Sequence, residues 1–345
     1  MAAEPRQYGR RSRWRSWVTA CTNPPPFDLG IAGAGHPDGS AQGREGAARM
    51  PVSRMDLADA GSPEALVKRI LQAEPNLPVP VPIQELCARL GVRRIEDHDT
   101  DEFEGGLVTD AKRSDGTILA KRGGEPRRRF TIAHELGHLL MAHHVPDQPG
   151  RFLCNSSDLL RVTAKEGDQR QRREVEANRF ATLMLMPPHL LRGAMAAFRG
   201  PDLQHVLVLA RDFAVGKETA ARAYVQHHPE RIAIVVAGNG RVQRCYRSLS
   251  FPAIICAVGG PVPTGSLYHS SPHRPSIASD TAACRPDLWI DVKRDLRAPD
   301  LHEQVYLQRN GFAMILLHLD AVPEESAEER RLNEGWRHRF HSGRR

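Results

Sequence analysis

The chain has 345 residues, of which 40% are hydrophobic, and its formal net charge is +7. This length suggests two or three compact units with ordinary globular cores. The mild basic excess permits contact with nucleic acid or an acidic partner but does not require it. No apolar run reaches the roughly 18 residues that a membrane span needs, so we expect no membrane segment.

The six cysteines are scattered along the chain, and none forms a CxxC pair. Their spacing argues against a zinc ribbon or a thioredoxin-type site. Scattered single cysteines fit a reducing compartment, so we expect a cytoplasmic protein. Arg10-Arg11 faintly resembles the start of an export signal, but Arg13 to Trp17 stands where such a signal needs an apolar stretch.

The first 60 residues contain three consecutive prolines and many glycines, and they are predicted to be a disordered extension. Order is expected to begin at Ser62, which precedes a proline and can cap a helix with an apolar stripe. A second short helix follows over about 83–90 and ends at Gly91. Residues 103–120 predict two extended segments around a turn at Ser114-Asp115.

Two longer helices are predicted next, over about 128–143 and about 169–186. Residues 202–228 favour two short helices. Apolar runs at 232–236 and 254–258 predict strands, with Asn239-Gly240 as a tight turn between them. Further extended segments at 305–307 and 312–317 complete a small β-rich region.

The first long helix carries the segment His134-Glu135-Leu136-Gly137-His138. Residues four apart lie on one helix face, so His134 and His138 can present their imidazoles to one metal ion. Glu135 is rotated by about 100°, which places its carboxylate near the open position of the metal rather than among the ligands. This pattern predicts a zinc site in which Glu135 is the general base.

A catalytic zinc ion needs a third protein ligand. His144 lies ten residues after His134, as in one class of zinc peptidases, but Met141 stands where that pattern needs a glycine to bend the chain. A continuing helix would carry His144 away from the metal. We therefore expect His143 and His144 to interact with the helix dipole and solvent.

The second long helix offers a better third ligand. Glu174 and Asn178 are four residues apart and share a face, so Glu174 can bind zinc while Asn178 accepts a hydrogen bond from a histidine of the first helix. Glu176 points about 200° away from Glu174 and is expected to pair with nearby arginines at the surface.

The runs Arg128 to His138 and Glu174 to Ala181, followed by Leu185-Met186-Pro187, closely resemble the ImmA/IrrE metallopeptidase family. The resemblance covers roughly residues 60–195. It implies a zincin in which a glutamate of the second motif is the third ligand, matching Glu174. It also implies cytoplasmic bacterial or phage proteins that cleave or otherwise inactivate helix-turn-helix repressors, so the expected partner is a protein substrate of that kind.

These observations predict an α+β fold: a zincin-like peptidase domain with a helical hairpin and a small β-rich C-terminal domain. The boundaries are 1–60 for the disordered extension, 61–199 for the zinc metallopeptidase domain, 200–229 for the helical segment, 230–325 for the β-rich domain and 326–345 for a charged tail.

Three alternatives remain open at this point. Residues 209–222 have the outline of a helix-turn-helix, which would make the chain a transcription regulator. However, the second helix of this segment offers only Lys217 and Arg222 and few side chains that could read bases. Direct binding to nucleic acid is therefore not favoured. A metal-dependent sensor that acts only by binding would not need Glu135. The segment Gly105 to Val108 is either a free strand edge for an extended substrate or an ordinary hairpin strand.

Overall fold

The computed structural model describes two compact units. The first contains the described residues up to 196 together with 208–219, and the second contains 197–207 and the described residues from 220 onward. The extension up to residue 51 and the charged tail 326–345 lie outside the described residues. The description covers residues 52–110, 112–146, 148–161, 163–270, 274–292, 298–308 and 311–320.

Helices and a mixed sheet build most of the first unit. The strand order is β1-β3-β2-β4, with β1 parallel to β3 and the other pairs antiparallel. Helix α4 packs against both β3 and α6. The elements are α1 (Arg54–Leu57), α2 (Pro63–Ala73), α3 (Ile83–Arg89), β1 (Val92–His98), β2 (Gly105–Thr109), β3 (Gly116–Lys121), α4 (Glu125–Leu140), β4 (Arg151–Cys154), α5 (Ser156–Leu159), α6 (Gln169–Leu185) and α7 (Pro188–Met195).

Helical structure is already present before Ser62, where the sequence predicts it to begin. Ser62 caps α2 as predicted, since its side chain accepts a hydrogen bond from the backbone of Ala65 at 3.2 Å. However, residues 52–60 already include α1, whose Leu57 is buried. Arg54 donates to the carbonyl oxygen of Ser114 at 2.9 Å. This contact spans 60 residues of sequence, so the local pattern could not reveal it.

Strand β2 is not an edge strand. It pairs with β3 on one side and with β4 on the other, so that Gly105 lies opposite both Ala120 and Cys154. The possibility that Gly105 to Val108 offers a free strand edge is therefore wrong. The outer strand on this side is β4, which the sequence did not predict because it is only four residues long.

Helix α4 ends at Leu140, three residues before its predicted end. The side chain of Arg113, in the turn between β2 and β3, donates to the carbonyl oxygens of His138, Leu139 (3.2 Å) and His144 (2.8 Å). These bonds satisfy carbonyl groups that the helix end leaves without partners, and they hold the chain where it turns away. Helix α6 spans the predicted range almost completely.

The remaining elements are two helices and a five-stranded antiparallel sheet in the order β6-β5-β9-β8-β7. Trp289 and Phe251 are fully buried against this sheet. No helix within the described part of the chain combines the length and apolarity that crossing a bilayer requires. The elements are α8 (Leu203–Asp212), α9 (Lys217–His227), β5 (Arg231–Gly238), β6 (Arg241–Arg247), β7 (Ala282–Cys284), β8 (Leu301–Leu307) and β9 (Phe312–Leu319).

One predicted strand of this sheet is misplaced. Residues 254–258 make only an isolated bridge from Ile254 to Ile290, and Val258 is 68% exposed. The Asn239-Gly240 turn instead joins β5 to β6. The sequence of β6 is mostly polar, so its residues do not show the apolar pattern that predicts a strand. The run at 254–258 has that pattern but forms no strand.

Candidate metal centre

Helices α4 and α6 bring three predicted ligands together. The Nε2 atoms of His134 and His138 lie 3.1 Å apart. An Oε2 oxygen of Glu174 lies 3.2 Å from the first nitrogen and 3.5 Å from the second. Both imidazoles are fully buried, and Glu174 is 5% exposed. We call these three residues the inner cluster.

The approach of the two helices depends on small residues where they meet. A Cβ atom on Gly137 would lie 3.1 Å from a ring carbon of Phe180 and 3.4 Å from the Cα atom of Ala177. Gly137 therefore lets α6 come close enough for Glu174 to reach both imidazoles. The apolar face of α4, with Ile132 and Leu136 fully buried, fixes the helix on the core.

Asn178 fixes the proton of His134. Its amide nitrogen donates to the backbone oxygens of Asp158 at 2.6 Å and Arg161 at 3.0 Å. Its amide oxygen therefore faces His134 Nδ1 at 2.8 Å and accepts the proton there. Neutral His134 is left with a lone pair on Nε2, directed at the inner cluster. This is the contact that the sequence predicted for Asn178.

His144 does not lie where the sequence analysis put it. It follows the end of α4, is fully buried, and has its Nδ1 atom 2.9 Å from Nδ1 of His138. Its Nε2 atom lies 2.9 Å from a carboxylate oxygen of Glu176. Because the carboxylate can only accept, His144 donates from Nε2 and accepts from His138 on Nδ1. His138 then also keeps its Nε2 lone pair for the inner cluster.

Two features keep this chain of hydrogen bonds in one arrangement. Burial lowers the pKa of His144 to about 2, so the ring stays neutral and retains an accepting nitrogen. Glu176 also contacts Nε2 of the exposed His143 at 2.7 Å. The sequence assigned Glu176 to a pair with nearby arginines, whereas its described contacts are with these two histidines. We call His143, His144 and Glu176 the outer cluster.

The inner cluster fits a metal ion. A tetrahedral ion with ligands at about 2.0–2.1 Å requires donor atoms about 3.3–3.4 Å apart. The three observed separations fall between 3.1 and 3.5 Å. The hydrogen-bond partners of both imidazoles leave three lone pairs facing one another, and these repel unless a cation lies between them.

Glu135 is fully buried beside the inner cluster, and neither of its carboxylate oxygens has a hydrogen-bond partner among the described N and O atoms. Burial raises its pKa to about 8, with a smaller contribution in the same direction from Glu174. Strand β2 covers the carboxylate closely, since a Cβ atom on Gly105 would lie 2.5 Å from Oε1. A carboxylate with a pKa near neutrality suits proton transfer at neutral pH.

A fourth ligand-type side chain joins the site and was missed by sequence reasoning. The Sγ atom of Cys154 lies 3.7 Å from Nε2 of His138, and the residue is 1% exposed. Its sulfur and the three donor atoms of the inner cluster all lie within 4.8 Å of one another. No local signal marks Cys154, because its position depends on the pairing of β4 with β2.

Comparison with known families agrees with this geometry. Residues 115–224 match the model of peptidase family M78, which is described as the IrrE N-terminal-like domain. The matched region begins near the start of β3, ends within α9 and includes both helices of the site. No curated protein matches the chain. Over residues 115–224, the chain thus carries an IrrE N-terminal-like domain, the domain described for peptidase family M78.

Proposed function

We propose that the protein is a zinc-dependent endopeptidase, with His134, His138 and Glu174 as zinc ligands and Glu135 as the general base. The convergence of three donor atoms at 3.1–3.5 Å supports this most directly. Two imidazoles and one carboxylate are a ligand set that suits zinc. Three protein ligands leave one position for water, which is the arrangement of catalytic rather than structural zinc.

The residues of the site divide the chemistry between them. When bound, a zinc ion would polarise the scissile carbonyl and lower the pKa of the attacking water. Glu135 accepts the proton of that water and later delivers it to the leaving amine. Asn178 and His144 hold the two imidazoles with their Nε2 lone pairs directed inward. Burial of the site excludes competing solvent.

The proposed substrate is a protein, specifically a helix-turn-helix DNA-binding regulator processed in the cytoplasm. Membership of the matched domain in the ImmA/IrrE type supports this partner. The sheet supports an extended peptide: among the described strands, β4 pairs only with β2, so its outer edge can accept one more strand. Leu153 on this strand is 41% exposed and lies next to Cys154. All described cysteines are free, as a reducing compartment requires.

The rival proposal is a regulator that binds DNA through the helical segment 200–229. Helices α8 and α9 do form, joined by a short turn. However, α9 buries Ala220, Ala221 and Tyr224, and Lys217 and Arg222 are only partly exposed. A recognition helix needs freely projecting side chains along its base-reading face. This burial weighs against the rival.

Metal analysis and a cleavage assay test the proposal together. The purified chain should hold about one zinc ion, and incubation with the helix-turn-helix regulator encoded beside its gene should give a shortened fragment that a chelator suppresses. A chain that retains no divalent metal even after reconstitution would overturn the peptidase assignment. Tight, strongly salt-dependent binding to a DNA duplex without any cleavage would favour the rival.

A further inference from the structure

Cys154 lies where a fourth metal ligand would lie. Strand β4 ends at this residue, directly opposite Gly105 of β2, and this pairing directs the thiol at the inner cluster. Buried cysteines often serve only as small apolar residues. Here, however, the neighbours of the sulfur include two imidazole nitrogens and the Glu174 carboxylate, which is not the surrounding of an ordinary core cysteine.

The distance from this sulfur to His138 is close to that between a thiolate and an imidazole that share one zinc ion. A zinc ion with a sulfur ligand at about 2.3 Å and a nitrogen ligand at about 2.0–2.1 Å places the two donors about 3.5 Å apart. The observed distance from Cys154 Sγ to His138 Nε2 is 3.7 Å. A displacement of about 0.2 Å would bring this pair of donors to the separation expected for a shared zinc ion.

We propose that the Cys154 thiolate is the fourth ligand of the metal in the resting protein, which makes the centre closed and latent until water replaces the sulfur. This inference rests on the proposed zinc peptidase function. Sites with four protein ligands are typically structural, whereas catalytic sites keep one position open. A centre that exchanges between a closed form with Cys154 bound and an open form with water bound would cleave its substrate only in the open form.

The exchange needs no oxidant or reductant. The sulfur–metal bond breaks, the departing thiolate takes up one proton from solvent to become a thiol, and one water molecule takes its place. Glu135 directly follows His134 on α4 and is fully buried, so the general base already lies beside the inner cluster, where the water would enter. Closed and open forms therefore differ by one ligand and little else.

X-ray absorption at the zinc edge tests the proposal on the zinc-loaded full-length chain. The wild type should show one sulfur at about 2.3 Å, and Cys154→Ser should show only nitrogen and oxygen ligands with about one zinc still bound. Cys256→Ser is the matched control, because Cys256 lies in the second unit, where its thiol donates to the carbonyl of Leu288. Cys154→Ala repeats the test without a buried hydroxyl.

Binding of acetohydroxamate, which ligates zinc through an open position, measures latency without knowledge of the substrate. Calorimetry should show tighter binding to Cys154→Ser and Cys154→Ala than to the wild type. A wild-type spectrum without sulfur, or equal acetohydroxamate affinity in all variants, overturns the role of Cys154 while leaving a zinc peptidase intact. Absence of zinc from every variant overturns the proposed function itself.

Discussion

The inner and outer clusters contain the same residue types, two histidines and one glutamate, yet their protons are arranged differently. In the inner cluster, three lone pairs face one another, and both imidazole protons point away to Asn178 and His144. In the outer cluster, the imidazole protons point at the Glu176 carboxylate. Proximity of histidine and glutamate therefore does not define a metal site; the direction of the protons does.

The two clusters also depend on each other. A metal ion on the outer cluster would need the Nε2 lone pair of His144, which would move that ring's proton to Nδ1. This proton would then face the Nδ1–H of His138 at 2.9 Å. The arrangement that prepares His138 for a metal thus disfavours a metal beside Glu176. Through its contact with His138, the outer cluster keeps the Nε2 lone pair of that residue directed at the inner cluster.

The largest expected effect comes from removing the general base. Glu135→Gln keeps the size of the side chain but cannot accept a proton from water. We expect the variant to fold, retain about one zinc ion and cleave about 10² to 10⁴ times more slowly. Normal zinc with near-normal cleavage would refute the role of Glu135. Loss of zinc together with activity would show that Glu135 is itself a ligand, so that the ligand set His134, His138 and Glu174 would have to be revised.

A somewhat smaller effect is expected from crowding the same carboxylate. The Cβ atom of Gly105→Ala would lie 2.5 Å from Glu135 Oε1 and 2.6 Å from a methyl group of Thr131, so Glu135 must move. A misplacement of this size can reduce turnover by about 10²-fold while zinc remains bound. Gly123→Ala is the control, because its Cβ would meet nothing closer than 3.9 Å. Equal turnover of the two variants would show that Gly105 does not position Glu135.

The link between the clusters should have a measurable but smaller effect. His144→Ala removes the acceptor for the His138 proton and should weaken zinc affinity about 10- to 100-fold, as loss of a ligand-orienting partner does. Glu176→Gln keeps an oxygen acceptor for His144 and should retain most of the affinity. His143→Ala, at the exposed edge of the outer cluster, should leave it unchanged. If zinc titration shows the same loss of affinity for His143→Ala as for His144→Ala, then His144 has no special role in orienting His138.

Local sequence patterns predicted much of the inner cluster. The i,i+4 spacing of the two histidines and of Glu174 and Asn178 depends only on helix geometry, and both helices form where expected. Because residues two apart on a helix are rotated by about 200°, Glu176 was correctly predicted to lie on a different side of α6 from Glu174. The positions of these side chains were predictable because each depends on residues within one regular element, whereas their roles at a metal stay predictions.

The remaining residues of the site depend on contacts between distant segments. His144 reaches His138 only because α4 ends early, where Arg113 satisfies its last carbonyl groups from another part of the chain. Cys154 joins the site through a four-residue strand that carries too few residues for a recognisable pattern. Neither the helix end nor the strand pairing can be derived from local periodicity.

The most direct test of the two-cluster account is zinc titration of Glu174→Ala beside Glu176→Ala. The two glutamates lie two residues apart on one helix, so the variants remove the same group from opposite clusters. We expect Glu174→Ala to lose most of its zinc affinity, while Glu176→Ala still binds about one zinc ion with an affinity reduced by about 10- to 100-fold at most. If Glu176→Ala loses the zinc and Glu174→Ala keeps it, the metal belongs to the outer cluster and the account is contradicted.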